Sequence, residues 1–440
     1  MFSGCRPFFG LAAAAALLAA WCAASGSLLQ PGAPPAALPD SDGAIATVEA
    51  HGAANAAVFA EAFGPGGRAC GTCHRAGADW SITPVMASAE FRVGSTVDPL
   101  FSPIDGTNAP TLDRFSTAAR RAASSLLLEK GLIRMQRSMP AGASFTLVKV
   151  DDPWRYASAN ALSLYRRPLP VANLAFETTL MWDGRETGRG GRVDRPALER
   201  QALDAMRDHS QELTAPSGHQ VTGIVGFEEG LFAAQSALRS VGALDAAGGR
   251  GGPALLAAMA HENWRRSAPG FDLYAAWLRL PGSDAISAAR RSIARGEVIF
   301  DSRRFAIRGV DGYRGPSHGA CASCHDAPDV GTSRAGLLMD VGISSAELRT
   351  ADLPLYTFLR RGTAEQITTS DPGRALVTGR WRDMNCFKVP GLRGLAARAP
   401  YFHNGCAASI PDAVDLLDRR FTIGLTPRDK RDLCAFLSAL

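Results

Sequence analysis

The sequence predicts a mainly α-helical protein of two helical domains. Three observations carry that expectation. The pentapeptide Cys-x-x-Cys-His occurs once in each half, as Cys70-Gly-Thr-Cys73-His74 and Cys321-Ala-Ser-Cys324-His325; apolar residues recur at three- and four-residue spacing; and helix start and stop signals punctuate the chain.

The pentapeptide spacing has a mechanical reason. Two thiols three residues apart on one helical turn can form thioethers to the two vinyl groups of a porphyrin, while the adjacent imidazole ligates the iron. Two covalent c-type haems are therefore expected, with Cys70, Cys73, Cys321 and Cys324 attaching them and His74 and His325 as metal ligands. Each domain is then cytochrome c-like, wrapped around one haem. The plainer readings are a structural zinc site, which usually takes four Cys/His ligands where each motif offers three, and a redox dithiol.

The elements follow in order. Arg6 precedes the apolar run Phe8 to Ala24, short of the ~20 residues of a membrane span and closed by small residues, so residues 1–26 read as a secretory signal peptide. An uncleaved membrane anchor is the alternative. Residues 27–54 are expected to form a flexible leader, on their Pro/Ala/Gly content. Leu112, Phe115, Ala119, Ala122 and Leu126 predict one amphipathic helix over 112–130, capped by Gly131, and Ile224, Phe227, Leu231 and Leu238 predict another. Residues 247–253 are a loop by composition. Phe271, Tyr274 and Leu278 mark a helix ending before Pro281-Gly282, where the domain boundary is placed: 55–281 for the first haem domain, 282–440 for the second. Ile286, Ala289, Ile293 and Phe300 open the second domain, and a helix with Thr426 as N-cap, Pro427 in its first turn and Asp429 completing a capping box closes it.

Composition bounds the function. A formal charge of +5 over 440 residues, with no Lys/Arg block, excludes a nucleic-acid patch and permits weak docking to an acidic electron donor. Of nine cysteines, Cys5 and Cys22 leave with the signal and four serve haem. Cys386, Cys406 and Cys434 remain; one disulfide and one thiol are expected in an oxidising compartment, Cys386–Cys406 being slightly favoured, although spacing does not determine pairing.

Beyond the two haem motifs, Met181-Trp182-Asp183-Gly184-Arg185, the string Phe387 to Gly394, and Ala399-Pro400-Tyr401-Phe402-His403-Asn404-Gly405 stand in that order. With these strings the chain, over roughly residues 60–440, resembles the bacterial di-haem cytochrome c peroxidases and their relatives, which include MauG. Residues of about 112–167 look like an insertion relative to the simplest members. The resemblance implies that Trp182 lies between the haems on the electron path, that Arg393 approaches a haem propionate, and that Gln201 belongs to the distal pocket of the N-terminal, peroxidatic haem. The family's catalytic carboxylate falls on Gln211, with Glu212 next to it and His209 two before. Gln211 cannot accept a proton from peroxide, whereas His209 and Glu212 can; the plainer reading of His209 continues the helix face of Ala202, Ala205 and Met206. Of the other histidines, His51 and His219 read as loop residues, His261 as surface, and His318 as structural.

Two further departures bear on the cofactors. The resemblance implies a calcium ion between the domains, held by an Asn side chain and backbone carbonyls; the matching positions carry Arg167 and Arg398. It also implies a sixth ligand to the C-terminal haem fourteen residues after His403, which here is Leu417. Met384 is the first candidate for a substitute ligand, and a five-coordinate iron is the other outcome.

The expected function is a periplasmic di-haem oxidoreductase that reduces hydrogen peroxide with electrons from a donor cytochrome c or small copper protein, relayed by the C-terminal haem. The resemblance also admits a homodimer. Oxidation of a partner protein or organic molecule, as by MauG, and plain electron carriage are the alternatives.

Overall fold

A computed structural model of the chain describes residues 36–50, 54–94, 97–188, 193–211, 216–261, 272–327, 330–332 and 338–440. The signal segment, His51, Glu212 and Phe271 lie outside them. Helix makes up 38% and strand 19%, and six small sheets lie among the described residues, which corrects the mainly helical expectation. The strands come from segments whose branched and small apolar residues bury well on a pleated surface, a signal that short apolar runs share with helices.

The expected leader is the first such case. Ala36–Pro39 and Gly43–Glu49 form a hairpin, and Gly43–Glu49 also pairs antiparallel with Leu231–Leu238, burying Ile45, Ala46 and Thr47. Leu231 and Leu238 were expected on a helix. That helix, Gly218–Glu229, instead stops at Gly230, and the chain turns directly into the strand. His219 lies in the first turn of this helix and not in a loop.

The expected helix over 112–130 divides into Thr117–Ala123 and Ser125–Lys130, broken at Ser124, and Phe115 lies outside both and fully exposed. Ser116 caps the first piece through its hydroxyl, a better start signal than the apolar spacing. Gly131 closes the second at φ 61°, as its position implies. Beyond it Ile133–Arg137 pairs with Leu162–Arg166, while Phe145–Asp151 joins Leu355–Arg360 and Gln366–Thr369 in a three-stranded sheet. A strand of the first half is thus hydrogen-bonded into the second half.

The segment through Tyr274 is a 3-10 turn, Ala275–Arg279, and not an α-helix. Its Trp277 stacks on Tyr274 with centroids 4.6 Å apart, and both pack with Leu238, Val241 and Leu244 into one core with Ile293, Phe300, Leu433 and Phe436. Residues on both sides of Pro281-Gly282 therefore share a core. The helix Pro427–Ser438 starts at the Thr426 cap as its sequence signals require, and Ala285–Ser302 starts at an Asp284 cap. Among the described residues no helix is long and apolar enough to cross a membrane.

Candidate functional site

Both pentapeptides fold the same way. Cys70–Thr72 and Cys321–Ser323 are 3-10 turns, closed by Cys73 N–H donating to Cys70 O (3.2 Å) and Cys324 N–H to Cys321 O (3.1 Å). The hydroxyl in the third position of each motif locks the turn: Thr72 Oγ1 accepts from Ala69 N–H at 3.0 Å and Ser323 Oγ from Ala320 N–H at 2.9 Å. Each histidine then turns its Nδ1 to a backbone carbonyl, His74 to Trp80 O (2.8 Å) and His325 to Val330 O (3.2 Å). Trp80 and Val330 both adopt left-handed φ, 54° and 58°. Burial lowers both imidazoles to a pKa of about 4, so they are neutral; the Trp80 carbonyl selects the Nδ1–H tautomer of His74 and leaves its Nε2 as a lone-pair donor, while His325 also meets the Pro390 carbonyl. Burial also pushes the Cys70 and Cys321 thiols up to about 12, the opposite of what a redox dithiol needs.

Cys321, Cys324 and His325 open on a cavity of about 230 Å³ walled mainly by apolar side chains, including Phe300, Ile307, Val414, Leu417, Leu433 and Leu437. Paired thiols, a neutral imidazole and a dry apolar wall are the donor set and surroundings of a covalently held haem. Leu417 lies on this wall, where the count from His403 puts it. Met384 does not: it is buried with Phe145, Leu164, Tyr356 and Phe358 in a separate cluster, so the ligand role assigned to it is withdrawn. The thioether on the wall belongs to Met339.

At the first motif, Cys70 packs in the cluster of Phe59, Leu198 and Met206, and Cys73 in that of Ile82, Phe91 and Leu127. Trp80, whose carbonyl holds His74, is itself held by its indole N–H donating to Thr47 Oγ1 at 3.0 Å. The N-terminal hairpin thereby fixes a histidine far along the chain. The helix Arg195–Ser210 carries Gln201 and His209 along this region. Gln201 Oε1 is buried without a hydrogen-bond partner. His209 Nδ1 meets Asp105 Oδ2 at 2.7 Å, and Asp105 is ion-paired with buried Arg68, which also donates to Pro99 O (2.7 Å), Leu100 O (3.0 Å) and His209 O (3.3 Å). Burial alone would raise the Asp105 pKa; the Arg68 guanidinium and the His209 bond hold it below the usual carboxylate range. Gln211 caps the helix in the left-handed region and points to solvent.

Trp182 lies on the wall of the C-terminal cavity, its indole N–H donating to Arg167 O at 2.7 Å. His403 meets it edge-on at 6.0 Å and stacks on Phe387 at 4.0 Å. Below them Arg166 binds Asp371 through two nitrogens (2.6 and 3.0 Å) and Asp183 through the third (2.7 Å), all three buried. Arg393 is buried in a small cleft with Asp79, Asn173 and Glu177, off the wall of the large cavity. Arg167 and Arg398 stand on that wall instead. Arg167 donates to Lys130 O (3.1 Å) and Arg398 O (2.8 Å), so the carbonyls that would face a calcium ion face a guanidinium; a second cation does not fit beside it.

His318 is exposed, its Nδ1 3.3 Å from Ser317 Oγ. Cys386, Cys406 and Cys434 are free thiols, which corrects the disulfide expectation. Burial holds them at about 12, 11 and 11, and Cys386 Sγ faces Asp311 O at 3.8 Å.

Sequence reasoning missed Arg68 and Asp105, because a partner 104 residues from His209 leaves no local trace. It passed over Arg166-Arg167 as site residues although a signal existed: two arginines at the end of the apolar strand Leu162–Arg166, whose every residue is buried.

No protein-family model matches the chain. It is 28% identical over 201 residues to cytochrome-c peroxidase IdrP1 of Pseudomonas sp. (strain SCT), covering 41% of this chain and 51% of that one. It is 31% identical over 112 residues to cytochrome c551 peroxidase of Nitrosomonas europaea (25% and 27%), and 44% identical over 77 residues to cytochrome c peroxidase Ccp of Escherichia coli (strain K12; 17% and 16%). The chain spans about half or less of the length of these relatives. A solved MauG-like protein associated with microbial copper homeostasis aligns at TM-score 0.34 and 15% identity, over 68% of this chain and 79% of that one.

Proposed function

Because the chain is a relative of the bacterial cytochrome c peroxidases, we propose that it is a periplasmic di-haem oxidoreductase that reduces hydrogen peroxide with electrons from a small donor protein. One observation carries this reading: both Cys-x-x-Cys-His motifs fold into the same turn, with the Nδ1 of each histidine turned to a backbone carbonyl. Cys70, Cys73 and His74 would hold one haem, and Cys321, Cys324 and His325 the other. When bound, the haem supplies an iron that binds peroxide and stores and passes electrons.

The chain's own contribution at the first site is proton handling. The Asp105 carboxylate accepts Nδ1–H of His209, which leaves Nε2 as the base; Asp105 then steadies the imidazolium formed when Nε2 takes a proton from peroxide. The same Nε2 returns that proton to the leaving oxygen. Overall, one peroxide takes up two electrons and two protons and yields two waters. Gln201, two turns earlier on the same helix, has a buried unpartnered oxygen and offers a further hydrogen-bonding group. Trp182, between Arg167 O and His403, supplies the aromatic step between the two halves.

Mass spectrometry of the mature protein tests the cofactor content: two covalent haems are expected, and one or none ends the reading. His209→Ala is expected to lower peroxide turnover by 10²- to 10⁴-fold with both haems attached, the range general acid–base groups supply. Asp105→Asn should lower it less, by unseating the tautomer. Unchanged turnover in His209→Ala would remove the proton-handling role.

A further inference from the structure

We propose that Arg167 is a binding residue for the C-terminal haem, clamping a propionate carboxylate with its guanidinium. The inference rests on the haem reading above and is carried by a charge that the protein leaves unmatched. Arg167 is 5% exposed and stands on the wall of the cavity onto which Cys321, Cys324 and His325 open. Its guanidinium donates to two neutral acceptors, Lys130 O and Arg398 O. The other cations on the wall have anions: Lys388 binds Glu177 Oε1 at 2.8 Å, and Arg398 binds Asp79 Oδ2 at 3.1 Å. Among the described residues no carboxylate binds the Arg167 side chain, and Arg398 adds repulsion. Burial and that repulsion lower its pKa to about 9.

A buried full charge without a counter-ion is costly enough that folded proteins rarely keep one. The missing anion must therefore come with what fills the cavity. A porphyrin attached to Cys321 and Cys324 through its vinyl groups brings two carboxylates on its periphery, and a guanidinium fork is the side chain best matched to a carboxylate. The neighbouring backbone fits this role. Arg167 N–H donates to His403 O at 2.7 Å and Arg167 O accepts the Trp182 indole, so the residue is fixed at both ends. Arg393, in its separate cleft, lies off this wall.

The test uses the holo-protein. Arg167→Gln removes the charge and keeps hydrogen-bonding capacity; Arg167→Lys keeps the charge without the fork. A positive charge beside the haem favours its reduced form. In Arg167→Gln the oxidised-to-reduced ratio of the C-terminal haem at a fixed poise should therefore rise about tenfold, equivalent to about 59 mV for one electron, and Arg167→Lys should recover most of the shift. An unchanged ratio in Arg167→Gln, with haem attached, overturns the clamp, and so does a Lys variant shifted as far as the Gln variant. Should Arg167→Gln fail to fold, the propionate bending modes in the resonance Raman spectrum decide: they should move between wild type and Arg167→Lys, and identical modes overturn the proposal. A wild-type protein without haem on Cys321 and Cys324 overturns the haem reading itself, and this proposal with it.

Discussion

At the scale of single residues, buried polar groups separate the parts of this protein that act from those that pack. Glu228, at the end of the helix Gly218–Glu229, is buried with Oε2 unpartnered, and burial raises its pKa to about 8. Its folded pKa lies above the unfolded value of 4.5, so its stability contribution is fully present below pH 4.5 and lost as pH rises through 8. Glu228→Gln is therefore expected to gain on the wild type across that window and to hold a constant advantage above it. At about 1.4 kcal/mol per pK unit the gain is of the order of a few kcal/mol, and denaturant midpoints at pH 5 and 8.5 measure it. A gain that is the same at both would show that Glu228 is not held protonated. Met384 makes the opposite case. Its thioether is enclosed by Phe145, Tyr356 and Phe358, so Met384→Leu should leave the haem absorption spectrum unchanged at a cost of about 1 kcal/mol in stability; a new high-spin band would restore it as a ligand.

Among the elements, the helices Ala285–Ser302 and Pro427–Ser438 cross in close contact. Gly296 lies at the crossing, where a Cβ would come within 2.0 Å of Asp432 O and 2.7 Å of Phe436 Cβ. No rotamer relieves a clash with backbone. Arg295 pins the same residue, binding both Asp432 oxygens at 2.7 and 2.8 Å. Gly296→Ala should force the helices apart and cost roughly 1–3 kcal/mol or more, although alanine favours helix by about 1 kcal/mol over glycine. Thermal unfolding reads the sign directly, since propensity alone predicts a stabilised variant. The strands at 43–49 and 231–238 were missed, the first read as a leader from its composition and the second as a helix from its spacing. In 231–238 and 43–49 the apolar runs are short and Ala-rich, which fits a helix face or a buried strand equally well, and pairing between distant segments made the choice.

For the molecule as a whole, buried ion pairs join what the chain order separates. Arg166 ends the strand Leu162–Arg166, Asp183 follows Trp182, and Asp371 belongs to the second half, yet the three meet out of contact with water. Arg185 also reaches Asp183, at 3.0 Å, so that carboxylate keeps one partner if Arg166 is lost; Asp371 loses both of its recorded bonds to Arg166. Arg166→Ala should cost about 3–5 kcal/mol, the usual penalty for leaving a buried charge uncompensated. Chemical denaturation followed by haem absorbance and by tryptophan fluorescence should shift together, because the strand Phe145–Asp151 ties the first half to Leu355–Arg360. A shift confined to one probe would mean that the halves unfold independently.

Read by itself, the sequence determined the chemistry that is local. The Cys-x-x-Cys-His turns and the capping of the last helix at Thr426 depend on spacing within a few turns, where covalent geometry leaves few choices. Tertiary structure decided what depends on neighbours far along the chain. It drew the expected leader into a sheet that braces Trp80 and through it His74, set Asp105 behind His209, removed Met384 from the cavity, and put Arg167 on its wall. The physical reason is that burial and charge pairing are properties of a place and not of a residue type, and hydrophobic spacing carries no record of which distant segment will fill that place.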